Sequence, residues 1–191
     1  MNNHIYIITE CLPHAKAFIE HFKLKKLLNM QAFQIFAKKD DNVVLCVAGE
    51  SGGPTAIGYL AGRYNIARKG AIENNYAKTG KLLYLSMTKH AKNQQAENEI
   101  IYPYAIHDNE TNKTFYQDML YTHPFGESAV ENTGAARVYE AASRFFLVHN
   151  IIILTLHGEE TDFSIILDWL RDIMAEEDNK QTYREVEMAP S

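Results

Sequence analysis

The chain has 191 residues, 46% hydrophobic and 23% charged, the length of one ordinary domain with enough apolar material for a core. Its net charge of −5, with 19 basic residues scattered along the chain, excludes the basic footprint of a nucleic-acid binder. No run approaches the roughly 18 apolar residues of a membrane span, and the first residues, M-N-N-H-I-Y-I-I-T-E, lack the pattern of a signal peptide. Cys11 and Cys46 lie far apart without a metal or redox spacing. That usage fits a reducing compartment and predicts a cytoplasmic protein.

Residues 5–9 are a short apolar run, and Pro13 follows at a plausible first helical position. Ala15, Phe18, Ile19 and Phe22 recur at helical spacing, predicting an amphipathic helix over 13–28 whose solvated end carries Lys23, Lys25 and Lys26. Residues 33–38 and 43–48 flank D-D-N and read as a hairpin. The glycine-rich loop G-E-S-G-G-P-T-A at 49–56 opens a helix running to about Tyr64, which makes a strand-loop-helix unit. Residues 71–75 and 82–87 read as strands, and the polar stretch 88–99 as a surface excursion. Residues 100–105 and 113–119 flank H-D-N-E-T-N as a second hairpin. A buried helix is expected over 133–148, with Val138, Ala141, Ala142 and Phe145 inward, then a strand over 151–156. The last helix is expected over 163–176, with Ile166, Trp169, Leu170 and Ile173 inward and a frayed tail over 179–191. The alternation predicts an α/β fold: a three-layer sandwich with a central mixed β-sheet flanked by helices, in one domain over 1–178.

Three places combine a strand end with polar or glycine residues: 9–14, 49–55 and 157–160. In a mainly parallel sheet they share the carboxyl edge, where ligands bind. Each has a plain structural reading beside the functional one. Thr9-Glu10 can be a turn, Glu159, Glu160 and Asp162 can face the positive end of the last helix, and the glycines can let strand and helix pack closely. The glycine loop matches neither G-x-x-x-x-G-K-[ST] nor G-x-G-x-x-G, although it can offer N–H groups, Ser51 and Thr55 to an anion. The eight histidines have no metal-ligand spacing, so no metal is expected. Ser-His-Asp catalysis lacks its G-x-S-x-G. Tyr121-Thr-His-Pro-Phe125 is an aromatic loop that can cover a flat ligand or form a surface turn at Pro124.

The order of elements resembles the purine nucleoside phosphorylase and nucleosidase superfamily, including the methylthioadenosine/S-adenosylhomocysteine nucleosidases. I-Y-I-I-T-E-C-L-P-H-A-K-A-F-I resembles that family's I-G-I-I-x-A-M-x-x-E strand and helix. V-V-L-C-V-A-G-E-S-G-G-P-T-A at 43–56 resembles its V-x-x-x-x-x-G-I-G-x-x-x-A-A. N-T-G-A-A-R-V-Y-E-A-A at 132–142 stands where it has D-M-E-x-A-A/G, and I-I-I-L-T-L-H-G-E where it has a strand ending in S-D. The resemblance covers nearly the whole chain, which is shorter than usual members.

The resemblance implies a phosphorylase/hydrolase-like fold and cleavage of an N-glycosidic bond in a purine nucleoside, with no cofactor and with phosphate as a candidate co-substrate. A carboxylate holds the ribose hydroxyls, an acid serves the leaving base, and phosphate or a carboxylate-activated water attacks. Carried over, the water-activating glutamate falls on His14, the ribose-binding glutamate on Gly134 and the S-D pair on Gly158 and Glu159. The expectation is Glu159 as acid and His14 as base or anion contact. Gly49 and Ser51 then stand on the nucleophile side, Tyr121 or Phe125 stacks on the base, and Asn132, Thr133, Gly134 and His157 line the site. The expected partners are a small nucleoside or nucleobase and further copies of the chain. The alternative is a lapsed member that binds a nucleoside, or serves in oligomers, without turnover.

Overall fold

The computed structural model describes residues 4–27, 32–38, 42–64, 66, 80–87, 99–157 and 161–187, with side chains described as far as residue 175. In chain order the elements are β1 (His4–Thr9), α1 (Leu12–Phe22), β2 (Lys25–Lys26), β3 (Gln34–Ala37), β4 (Val43–Val47), α2 (Gly53–Arg63) and β5 (Gly80–Met87). Then come β6 (Ile100–Ile101), β7 (Ala105–Asp108), β8 (Lys113–Tyr116), β9 (Ala129–Glu131), α3 (Thr133–Ala142), β10 (Ile151–Leu156) and α4 (Phe163–Glu187).

Seven strands form a mixed sheet in the order β2-β3-β4-β1-β5-β10-β6. Its centre, β4-β1-β5-β10, is parallel, and β2, β3 and β6 are antiparallel flanks. Parallel strands are buried on both faces, which is why 151–156 and 5–9 read as nearly continuous apolar runs, each with one buried threonine, instead of alternating ones. Tyr6, Ile8, Leu82, Tyr84, Ile151 and Ile153 face α2 and α3, while Ile5, Ile7, Leu83, Leu85, Ile152 and Leu154 face α1 and α4. The expected three-layer sandwich around a mixed sheet is what forms. A smaller sheet, β8-β7-β9, lies on the α3 side.

Several boundaries differ from the sequence expectation. α1 stops at Phe22 because Lys23 adopts a left-handed conformation (φ 54°), and Leu24 N–H returns to Ile19 O at 2.9 Å. Lys25 and Lys26 are therefore not a helix end; they pair with Ala37 and Phe36 as an exposed edge strand. The strand expected over 100–105 breaks at Tyr102 and Pro103, where the chain leaves β6 for β7. β9 was not expected, since A-V-E buries one side chain. α3 ends at Ala142, and the chain reaches β10 through a single 3₁₀ turn, Val148–Asn150. α4 runs on to Glu187, eleven residues past its expected end. The strand read over 71–75 and the excursion over 88–98 lie outside the described residues.

Besides apolar packing, a polar side chain joins the two sheets. Beyond β8, the Gln117 amide donates to Ile153 O (3.0 Å) and Pro103 O (2.6 Å), while its oxygen accepts from Ile153 N–H (2.7 Å). It thereby pairs with β10 above the two residues, Thr155 and Leu156, that β6 covers.

Candidate functional site

In β1, β5 and β10 the parallel register brings the strand ends Thr9, Met87 and Leu156 to one edge. The end of β4 joins them through Ala48 N–H, which donates to Thr9 O at 2.9 Å. The next residue after β1 is Glu10, and its side chain turns back over the sheet to meet β5. Oε1 accepts from the Tyr84 hydroxyl (2.8 Å) and the Ser86 hydroxyl (3.2 Å), and Oε2 accepts from Met87 N–H (3.1 Å). Ser86 in turn accepts from Asn132 Nδ2 (3.0 Å), while Asn132 Oδ1 caps α3 through Ala135 N–H (2.9 Å). The first strand, the central strand and the start of α3 thus converge on one carboxyl group.

Tyr84 and Ser86 are buried, and Glu10 is half-buried. Burial raises the Glu10 pKa above its ordinary value, and the Tyr84, Met87 and Ser86 hydrogen bonds offset part of that rise. The Tyr84 phenol is raised by burial and by the neighbouring carboxylate, which keeps it a donor. A carboxylate offers about four lone-pair sites, and among the described residues Oε2 has one partner, Met87 N–H, which leaves acceptor capacity for a ligand. Being half-exposed, it can also meet one.

The other expected site residues divide. Asn132 belongs to the Glu10 network. Gly49 (φ 79°) and Ser51 sit exposed in the loop beside it. Gly134 lies in the first turn of α3, and a Cβ there would make ordinary contact with Asn132 Oδ1 at 3.5 Å, which places the position beside the network. The Thr133 hydroxyl is bonded to Asp108, at the end of β7. His157 follows β10 at the carboxyl edge, its N–H donating to Glu99 O (3.0 Å) and its buried Nε2 without a partner. Glu159 lies outside the described residues.

Three expectations land elsewhere. His14 is 8% exposed, its ring 5.4 Å from that of Phe163 and its Nδ1 without a partner. Burial lowers its pKa, so it is kept neutral and is a poor anion contact. Phe125 is buried at 4.9 Å from Trp169, in the core under α4. Tyr121 lies under Lys81 Nζ, 5.2 Å from the ring centre. Lys81 is at the amino end of β5, six residues and about 20 Å from Met87. An aromatic lid at the carboxyl edge is thus not what this loop forms, because Trp169 gathers its rings into the opposite layer.

No family model and no curated protein matches the chain by sequence. Solved structures do match it in shape. Helicobacter pylori 5'-methylthioadenosine/S-adenosyl homocysteine nucleosidase superposes at a TM-score of 0.59 with 7% identity, over 92% of this chain and 99% of that one. The fold is that of the nucleosidases. AMP nucleosidase from Bacteroides thetaiotaomicron gives 0.55 and 11% identity, covering 94% and 91%, and Helicobacter pylori futalosine hydrolase gives 0.54 and 7%, covering 98% and 100%. Within this nucleosidase fold Glu10 is the residue the sequence reading passed over. The signal was present: the pattern I-G-I-I-x-A-M-x-x-E has alanine where this chain has Glu10, and glutamate where it has His14. Among the described residues no cluster of three or more His, Cys, Asp or Glu could hold a metal, and no helix is long and apolar enough to cross a membrane.

Buried His14 and half-buried His157 predict a pH dependence. His14 and His157 have pKa values lowered from 6.5, each chiefly by burial, with Glu99 opposing the shift at His157. The unfolded chain then binds more protons below 6.5, so their contribution is present above that pH and lost as pH falls through the folded values. Glu10 has the opposite sign. Its raised pKa gives a contribution present below 4.5 and lost as pH rises through the folded value. The thermal midpoint should therefore fall below pH 6.5, and His14→Phe, which cannot ionise, should flatten that fall. An unchanged slope in His14→Phe would remove His14 from the account.

Proposed function

We propose that the protein binds a purine nucleoside at the carboxyl edge of its sheet and cleaves the N-glycosidic bond, with Glu10 as the working carboxylate. One observation carries the reading: a half-buried carboxyl held, among the described residues, by three donors and with acceptor capacity left, at the edge where α/β sheets bind ligands. The company the fold keeps supports it, since its solved neighbours act on adenosine-type and related nucleosides by name, and the Streptococcus pneumoniae MTA/SAH nucleosidase was solved with 8-aminoadenine. Asn132 and Ser86 fix the carboxyl in place, and Gly134 puts no side chain between it and a sugar. His157 stands on the leaving-base side in this reading, and Glu159, which lies outside the described residues, is its proposed acid. The protein works in a reducing cytoplasm, in keeping with two free thiols, of which Cys46 is buried with its pKa pushed up to about 12. The likeness of fold also favours a homo-oligomer as the working form.

The second reading, binding without turnover, is favoured by Gly134, which has no side chain where the resemblance calls for a ribose carboxylate. Thermal shift and product assay separate the two. A nucleoside at about 100 times its dissociation constant should stabilise the fold by roughly 2.7 kcal/mol, and incubation should release free base. Stabilisation without release establishes the binder. No stabilisation by adenosine, inosine or their 5'-thio analogues removes the nucleoside site.

A further inference from the structure

The hydrogen-bond chain that ends on Glu10 has a fixed direction, and the fixing comes from outside the large sheet. Asn132 Oδ1 accepts from Ala135 N–H at 2.9 Å as the cap of α3, so the other end of that amide, Nδ2, faces Ser86. An NH₂ group only donates. The Ser86 oxygen therefore accepts at 3.0 Å, and its single proton is left for Glu10 Oε1 at 3.2 Å. A competing place for that proton lies one strand away. Thr155 stands in register with Ser86 on β10, is fully buried, and its Oγ1 has no partner among the described residues. The Ser86 hydroxyl stays on Glu10 as long as Asn132 keeps its place.

Asn132 is held by the tip of the β7–β8 hairpin. Its backbone N–H donates to His107 O at 3.0 Å, and the next residue, Thr133, is bonded through its hydroxyl to Asp108. Asp108 is 3% exposed, the one buried carboxyl among the described residues. Three of its bonds shape the hairpin turn. Oδ1 accepts from Glu110 N–H (2.9 Å) and Thr111 N–H (3.4 Å), and Oδ2 accepts from the Thr111 hydroxyl (2.7 Å). The Thr133 bond does nothing for the turn; it reaches across to the first residue of α3. Hydrogen bonds, that of the Thr111 hydroxyl foremost, lower the Asp108 pKa, so Asp108 is an ionised acceptor and Thr133 is the donor.

We propose that Asp108 is a positioning residue for Glu10, acting through Thr133 and Asn132 to keep the Ser86 hydroxyl donating to that carboxyl. The hairpin tip is then part of the site, although Asp108 is not among the groups that bond Glu10. Its bearing on turnover rests on the nucleoside reading above, whereas the hydrogen-bond chain itself does not.

The test follows the Glu10 side-chain carboxyl by NMR through a pH titration of the full chain, without substrate. The Ser86 bond lowers the Glu10 pKa, so Ser86→Ala should raise the titration midpoint and set the full scale of the effect. Thr133→Val, which removes only the linking hydroxyl, should raise the midpoint by a clear part of that scale. Thr111→Val takes a donor from the same carboxylate on the turn side. It should lower the melting temperature and leave the Glu10 midpoint in place. Thr133→Ser, which keeps the hydroxyl, should restore the wild-type value. A Thr133→Val midpoint equal to that of the wild type overturns the proposal. So does an equal rise in Thr111→Val, which would mark general loosening of the hairpin. Should Thr133→Val not fold, Thr133→Ala removes the same hydroxyl and is read in the same way. In base release, the acid limb of the pH–rate profile should move up with the Thr133→Val titration. A protein that cleaves no nucleoside ends the nucleoside reading, while the titration still decides the role of Asp108.

Discussion

Glu10→Gln is expected to lower base release from a purine nucleoside by about 10² to 10⁴-fold, the range for loss of one positioned acid–base group. The substitution keeps an oxygen for Tyr84 and Ser86, so most of the network can persist. It replaces the oxygen that meets Met87 N–H by an NH₂, which sets two donors against each other. That mismatch costs about 1 kcal/mol or more of stability, small beside the catalytic loss. A fall in kcat with KM little changed would mark a role in the transition state, and a rise in KM alone would mark plain ribose binding. The acid limb of the wild-type pH–rate profile should lie above the ordinary glutamate range, because burial raises the group that must be ionised. An undiminished rate in Glu10→Gln would move the chemistry away from this carboxyl altogether.

Gly52→Ala should give the largest loss of stability, about 3 kcal/mol, at the upper end of overpacking costs. Backbone conformation is not the reason, since Gly52 has ordinary helical angles (φ −83°, ψ −6°). Space is. A Cβ there would fall 1.9 Å from Ala48 O, a backbone atom that cannot rotate away. Ala48 is fixed by its bond to Thr9 O, and Gly52 N–H closes the turn on Gly49 O at 3.3 Å. Relief therefore requires opening the loop and shifting the strand end that carries Glu10. Gly58→Ala, in the same helix with nothing within 4 Å of the new Cβ, is the control. It should stabilise by roughly 0.5–1 kcal/mol, the usual helical preference for alanine. Denaturant melts of the pair check both, and equal midpoints would mean that the turn yields freely.

The parts of the fold legible in the sequence were those set by local pattern. The runs 5–9 and 151–156 are apolar at all but one position each, Thr9 and Thr155, because both faces are covered, and both strands lie where the runs do. The start of α2 was marked by G-G-P. What was not legible depended on distant partners or rare backbone states. The end of α1 turns on Lys23 in a left-handed conformation that no glycine announces. β9 exists because β7 offers it an edge. The site shows the same division. Asn132 was readable as a helix start, whereas Glu10 looks like a turn residue until Tyr84 and Ser86 arrive from 74 and 76 positions away. His14 and Phe125 stood at suggestive places but were claimed by Phe163 and Trp169.

The Gln117 amide has a consequence for how the molecule opens. It stands in for a strand that is not there, satisfying both backbone groups of Ile153 with one side chain. Ile153 N–H can exchange with solvent after Gln117 lets go, and Gln117 is anchored through its own N–H to Tyr104 O, beside β7. Unzipping the β7–β8 hairpin and baring the flank of β10 are therefore one event. The small sheet acts as a latch on the large one, and the two should melt as a single cooperative unit. While the latch holds, the flank of β10 is also closed to a strand from another molecule.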